Sequence, residues 1–201
     1  MSADNIHPEF GRFLKREEKE SLLGQRGVVC WMYGLSGSGK STIANAAERV
    51  LHEEGRMTTI LDGDNLRSGL NKNLGFSDED RRENVRRTAE VAKIFASQGI
   101  ITFVSVITPR QEFRDRARDI TGDDFFEVYV RATYEVCAER DPKGLYAKAE
   151  KNQLASFTGK DSSFEEPLKP DLILDTEENS IEDNAFTLIE ALRQRSERDL
   201  I

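Results

Sequence analysis

Apolar residues along this chain follow two alternating rhythms, short unbroken runs and longer stripes of helical period. Val28-Val29-Cys30-Trp31-Met32-Tyr33 is an unbroken run, the pattern of a strand buried on both faces. Similar short apolar or β-branched runs recur at Met57 to Leu61, Ile100 to Val106, Phe125 to Val130 and Leu172 to Leu174. Between them the period lengthens. Thr42 to Glu54 places Ile43, Ala46, Ala47, Val50 and Leu51 at helical spacing, and the stretch after Ser77 sets Val85, Ala89, Ala92 and Ala96 on one stripe. Ser77 followed by Asp80 fits a capping box that opens this helix, and Gly99 ends it. A last helix, about Ser180 to Arg195, carries Ile181, Phe186, Ile189 and Leu192 and should close the domain. Strands alternating with helices predict an α/β fold, a parallel sheet of about five strands with helices on both faces.

Two segments break the alternation. Ile6 to Arg26 sets Phe10 and Phe13 ahead of the charge-dense Lys15-Arg16-Glu17-Glu18-Lys19-Glu20, which reads as an N-terminal arm over residues 1–26. The arm is either an amphipathic helix with a solvated face or a segment that packs on a neighbouring subunit. Arg140 to Pro170 intersperses Pro142, Gly144, Gly159, Pro167 and Pro170 among lysines and polar residues, a composition that suits a mobile lid better than core.

Length and charge narrow the function. A chain of 201 residues fits one α/β domain, here residues 27–201, and leaves no room for a second catalytic domain of ordinary size. A formal charge of −8 disfavours a duplex nucleic-acid binder, because phosphate backbones are held by net basic surfaces. Cys30 falls in the first strand and Cys137 in a helical stretch. Neither suggests a disulfide framework or a zinc site, so both read as buried thiols in a reducing cytoplasm. Met1 to Phe10 lacks the basic flank and apolar stretch of a signal peptide, and no apolar run is long enough to span a membrane.

The chemistry begins directly after the first strand. Gly34-Leu35-Ser36-Gly37-Ser38-Gly39-Lys40-Ser41 is a complete G-x-x-x-x-G-K-[ST] phosphate-binding loop, followed by Thr42 in the helix-forming run. Its glycines let the backbone wrap tightly enough to aim successive N–H groups at phosphate oxygens, at the positive end of the following helix. Lys40 supplies charge to the outer phosphates of ATP, and the Ser41 hydroxyl is placed to ligate the bridging Mg²⁺. A chance match in a Gly/Ser turn arises on the order of 1% of the time in a chain this long, and the strand-loop-helix context lowers that further.

The second strand ends in Asp62-Gly63-Asp64-Asn65, two carboxylates at the carboxyl end of a parallel strand, facing the same crevice as the loop. One can order the water shell of Mg²⁺ while the other accepts a proton from an attacking hydroxyl. An Asx-type turn with solvated acids is the competing reading for these four residues alone. Further on, Arg81 and Asn84 share a helix face, with Phe76 on the loop leading into it. Together they offer a stacking ring, a cation and an amide to a nucleotide-like anion. Arg82, Arg86 and Arg87 fit simple solvation of the same helix.

These motifs are not isolated. The loop extended to Thr42-Ile43-Ala44, Leu61-Asp62-Gly63-Asp64-Asn65-Leu66-Arg67, Leu70-Asn71-Lys72-Asn73-Leu74-Gly75-Phe76-Ser77, Glu83-Asn84-Val85-Arg86-Arg87 and Arg140-Asp141-Pro142-Lys143-Gly144-Leu145-Tyr146 together resemble adenylylsulfate kinase, in order from about Glu17 to the C-terminus. That resemblance implies a fold of the P-loop NTPase type and transfer of the ATP γ-phosphoryl to the 3′-hydroxyl of adenosine 5′-phosphosulfate (APS), forming 3′-phosphoadenosine 5′-phosphosulfate in sulfate assimilation. It implies that Asp64, Arg67, Phe76, Arg81 and Asn84 bind APS, with Lys143 and Phe157 closing over it from the lid. Phe76 and Phe157 would sandwich its adenine, and Arg140 would lie over the ATP side. Asp64 would orient or deprotonate the ribose hydroxyl and Asp62 would assist Mg²⁺ through water. It also suggests a homodimer supplied by a separate ATP sulfurylase.

The chain departs from the family at Ile107-Thr108-Pro109, where many relatives have Ile-Ser-Pro with a serine considered as phosphoacceptor. Threonine keeps the hydroxyl, so a phosphoenzyme at Thr108 stays open, although in-line transfer needs none. Thr108 then reads as the cap of the next helix, with Pro109 at its first position. Arg110, where relatives often carry an aromatic residue, and Ser68, in place of a common histidine, touch none of the matched substrate positions. The alternatives are a related kinase with another small hydroxyl or nucleotide acceptor, and a nucleotide sensor without catalysis. Intact Lys40, Ser41, Asp62 and Asp64 argue against the sensor.

Overall fold

The computed structural model describes residues 9–151, 158 and 164–198, together with His7. Five strands, β1 (Val28–Tyr33), β2 (Thr58–Asp62), β3 (Ile101–Ser105), β4 (Phe125–Arg131) and β5 (Leu172–Asp175), form one sheet in the order β2-β3-β1-β4-β5, and every neighbouring pair is parallel. The unbroken apolar run of β1 follows from its central position, because successive side chains point to opposite faces and both faces are covered. Val28, Cys30 and Met32 join Ile43, Ala44, Ala47 and Leu51 of α2 (Lys40–Glu53) and Ala185, Leu188, Ile189 and Leu192 of α8 (Ile181–Arg198). Val29, Trp31 and Tyr33 pack on the other face against Val85, Ala89, Ala92 and Ala96 of α4 (Asp78–Ala96) and Phe113 and Ala117 of α5 (Gln111–Thr121). Both thiols are buried and unpaired, Cys30 in β1 and Cys137 in a short helix beyond β4.

Two apolar stripes differ from those read in the sequence. The buried face of α8 runs through Ala185, Leu188, Ile189 and Leu192, while Ile181 and Phe186 lie outside it, Phe186 with 64% of its surface exposed. Phe186 follows Ala185, and one helical step turns a side chain about 100° away from the stripe. Val50 of α2 points outward for the same reason, between the buried Ala47 and Leu51. The start of α4 is as expected. Ser77 Oγ accepts from Asp80 N at 3.2 Å, and the hydroxyl, rather than the Ser77 N–H, donates to the Asp80 carboxylate at 2.7 Å. The chain leaves this helix through Gly99, at φ 82°.

Part of the arm forms α1 (Arg16–Leu23), none of whose residues is buried. It is held by polar contacts at the amino-terminal ends of the strands. Arg16 donates to Asp124 Oδ2 at 2.7 Å and to Gly27 O at 2.8 Å, and Gln25 Nε2 donates to the Met57 and Gly99 carbonyls. The opposite pole is open. From β1 the chain crosses to the far edge at β2, returns to β3 beside β1, then passes to β4 on the other flank of β1. The strand order therefore reverses around β1, and a crevice forms outside its carboxyl end.

Candidate active site

The phosphate loop lies in that crevice. Gly34, Gly37 and Gly39 all have positive φ, and Gly34 is also confined by space, since a β-carbon there would sit 2.3 Å from the Val130 carbonyl oxygen. Leu35 packs below the loop with Tyr146 and Cys137, Ser38 is fully buried, and Tyr146 donates from its hydroxyl to Ser36 O at 2.7 Å. Tyr146 belongs to α7 (Leu145–Glu150), which follows α6 (Tyr134–Arg140) across the turn Asp141-Pro142-Lys143-Gly144. Arg140, in the last turn of α6, donates to the Thr176 hydroxyl at 2.9 Å and to its carbonyl at 2.6 Å, beside the loop.

Lys40 is buried, and its ammonium donates to Gly34 O at 3.0 Å and Leu35 O at 2.6 Å. Burial pushes its pKa down to about 8 and outweighs the pull of nearby acidic groups. A cation in this state gains from any anion that the loop admits.

Ser41, in the first turn of α2, donates to Asp62 Oδ2 at 2.6 Å, while its oxygen lies 2.8 Å from Ser105 Oγ at the end of β3. Three oxygen groups from three elements thus meet beside the phosphate loop, a donor set of the kind that hard Mg²⁺ accepts. Thr42, next in α2, lines the same cleft.

Asp62 also caps α3 (Gly63–Ser68), accepting from Asp64 N at 3.0 Å and Asn65 N at 3.3 Å. The Asx-type turn is thus present, and it carries Asp64 to the cleft. There the exposed Asp64 carboxylate forms an ion pair with Lys143 from the turn opposite.

Arg67, Phe76, Arg81 and Asn84 line the remainder of the cleft, which encloses about 580 Å³. Arg67 lies 4.3 Å over the Phe76 ring and donates to the Leu74 and Gly75 carbonyls. Arg81 donates to Phe76 O at 2.9 Å and to the Thr158 hydroxyl at 2.7 Å. Burial draws the pKa of both guanidinium groups down, and for Arg81 the nearby Arg67 and Arg110 add to it. Crowded, partly desolvated arginines make this half of the cleft a site for an anion. Arg86 and Arg87 instead pair with Glu83, and Arg82 with Glu112, as a solvated helix surface would. Phe157 lies outside the described residues.

Thr108 is not a helix cap. The helix α5 starts at Gln111, whose N–H is taken by Glu165 Oε2 at 2.7 Å from a distant segment, so the cap comes from tertiary contact. Thr108 sits at φ 41°, buried, and its hydroxyl accepts from Trp31 Nε1 at 3.0 Å.

A sequence model of the family described as adenylylsulphate kinase matches residues 26–175. The chain belongs to the adenylylsulphate kinase family. It is 54% identical over 191 residues to the adenylyl-sulfate kinase of Phocaeicola vulgatus, covering 94% of each chain, and 51% identical over 181 residues to that of Clostridium acetobutylicum, covering 90% of each. Among solved structures it resembles the APS kinase of Mycobacterium tuberculosis in complex with AMPPNP and APS, with 46% identity and a TM-score of 0.81 over 84% of this chain and 99% of that one. Likeness to a gluconokinase from Sinorhizobium meliloti, at 18% identity and a TM-score of 0.56, reflects the shared fold alone.

Ser105 and Thr158 also line this adenylylsulphate kinase cleft, and Tyr146 and Thr176 brace its phosphate loop by donating to Ser36 O and Ser38 O, yet no role was assigned to them from sequence. Ser105 had a signal, a hydroxyl at the carboxyl end of an otherwise apolar strand. Thr176 and Thr158 had none, since their contacts join residues 138 and 77 positions apart.

Proposed function

We infer that this chain transfers the γ-phosphoryl group of ATP to the 3′-hydroxyl of APS, giving 3′-phosphoadenosine 5′-phosphosulfate and ADP. One observation carries the reading. The phosphate loop and Arg67, Arg81 and Asn84 line a single cleft, together with Asp62 and Asp64. Family membership and the relative solved with AMPPNP and APS support the same two ligands here.

In this proposal Lys40 exchanges its loop carbonyls for the outer phosphate oxygens and neutralises charge that builds up during transfer. Asp64 turns from Lys143 to the ribose hydroxyl, orienting it and taking its proton, while Asp62 fixes the turn that presents Asp64. Lys143, released from that pair, faces the APS anion, and Arg140 closes the ATP side. Phe76 stacks the acceptor adenine, with Phe157 of the lid as its partner. Ser41, Asp62 and Ser105 would hold Mg²⁺, directly or through water, and the ion when bound screens the phosphate charges.

The nucleophile is the acceptor itself. The Thr108 hydroxyl is buried and engaged by Trp31, an arrangement that supports direct in-line transfer over a phosphoenzyme. A homodimer, a cytoplasmic setting and supply of APS by a separate sulfurylase complete the proposal. Among the described residues no helix is long and apolar enough to cross a membrane. Coupled detection of ADP with ATP and APS tests the assignment, and the absence of APS-dependent turnover would sink it.

A further inference from the structure

Asn71 is fully buried in the turn between α3 and α4. Its backbone is fixed at both ends, with its N–H donating to Leu66 O at 2.8 Å and its carbonyl accepting from Leu74 N at 3.0 Å. Arg87 clamps the same turn to α4 by donating to Leu70 O and to Asn73 Oδ1. With the backbone so held, the side chain reaches Asn84, and Asn71 Nδ2 donates to Asn84 Oδ1 at 2.9 Å. The remaining atom, Asn71 Oδ1, is buried without a hydrogen-bond partner among the described residues.

Two primary amides in contact have two self-consistent arrangements. In the observed one Asn71 donates, Asn84 spends its oxygen on that bond, and the Asn84 NH₂ group is left for the cleft that Asn84 lines. In the alternative Asn84 donates to Asn71 and shows its oxygen to the cleft. The two differ in what they bury. The observed arrangement leaves one carbonyl oxygen unpaired, whereas the alternative leaves the Asn71 NH₂ without a partner, and orphaned buried donors are rarer in proteins than under-satisfied carbonyls.

We propose that Asn71 is a positioning residue that sets the polarity of Asn84, so that the acceptor half of the cleft meets its nucleotide with an N–H donor and not with a lone pair. The proposal rests on the kinase reading and refines it. An oxygen-rich, anionic acceptor held beside Arg67 and Arg81 gains from a donor at Asn84 and is repelled by an outward oxygen. Asn71 itself touches no substrate.

The test combines equilibrium binding of APS to the ADP-loaded enzyme with steady-state KM and kcat. Asn71→Leu removes the donor at similar volume and should raise KM for APS by about tenfold, with kcat and KM for ATP within about twofold of wild type. In an Asn84→Ala background the same substitution should change KM for APS by less than about twofold, because the group it orients is gone. A full additive effect in the double variant, or an unchanged KM in Asn71→Leu, would overturn the proposal. Asn84→Asp provides a second reading that leaves Asn71 intact. One carboxylate oxygen keeps the Asn71 bond and the other faces the cleft, so APS should bind more weakly than to Asn84→Ala. Binding by Asn84→Asp as tight as wild type would equally refute it. Wild-type turnover with APS, measured alongside, reports separately on the kinase reading.

Discussion

At the scale of single residues, Lys40 carries the clearest consequence. Its native pKa of about 8 lies below the ordinary value of 10.5, so between these pH values the unfolded chain holds a proton that the ligand-free native chain has released. The unfolded state binds more protons in that window, and native stability should therefore rise with pH across it. Phosphate binding restores the proton. ATP affinity should thus be nearly flat below pH 8 and fall above it, by at most about tenfold per unit. Calorimetry at pH 9 in two buffers of different ionisation enthalpy should reveal proton uptake on binding, and its absence would contradict the assignment. Lys40→Ala should lower kcat by orders of magnitude, since the charge that builds up on the outer phosphates would lose the ammonium held at the loop. Thr108→Val separates structure from chemistry. It should keep most of kcat yet lose about 1–3 kcal/mol of stability, because the Trp31 indole N–H is left buried and unpaired. A stable but inactive variant in a combined melting and turnover assay would revive the phosphoenzyme.

At the scale of elements, the site is built by what ends each strand. The strand β1 turns into α2 through a loop so close to β4 that Gly34 has no room for a methyl group. Gly34→Ala should push the loop away from the end of β4 and misplace Lys40, weakening ATP binding more than APS binding. Equal loss for both ligands in a titration would show that the effect is global. The end of β2 behaves differently. Asp62 is at once the cap of α3 and the partner of Ser41, so one carboxylate sets both the entry of a helix and the oxygen cluster beside the phosphate loop. These junctions were legible from sequence because their glycines and acids lie within a few residues of the strand they terminate. The false cap at Thr108 was not avoidable by the same logic. The group that satisfies the start of α5 is Glu165, 54 residues away.

At the scale of the whole molecule, a polar network ties the sheet to Thr108 at the cleft and to the distant segment that holds Glu165. Glu127 of β4 accepts from Tyr33 at 2.9 Å and Arg118 at 2.7 Å, and lies 3.7 Å from Arg114. Arg114 is wholly buried, stacks 4.8 Å over Tyr33, and donates to Thr108 O at 3.1 Å and Glu165 O at 2.9 Å. Burial and the Glu127 charge push the Tyr33 phenol well above its ordinary pKa, so it stays a donor. Glu127→Ala would strand Arg114 without its counter-ion and should cost about 3–5 kcal/mol. For a chain of this size that is a fall in Tm of about 10 °C, and a shift under 2 °C in calorimetry would count against the network as a stabilising unit.

The sequence by itself determined the alternation of strands and helices, the phosphate loop and the aspartate pair, because each depends on a local period or on residue types at fixed short spacing. Through its ordered motifs it also pointed to Arg67, Phe76, Arg81 and Asn84, which line the cleft. Tertiary structure alone decided which side of α8 is core, that Ser105 joins Ser41 and Asp62, and that Asn71 faces Asn84. Those outcomes depend on which backbone stretches the parallel sheet brings together, and sequence spacing carries no distance across a crossover connection.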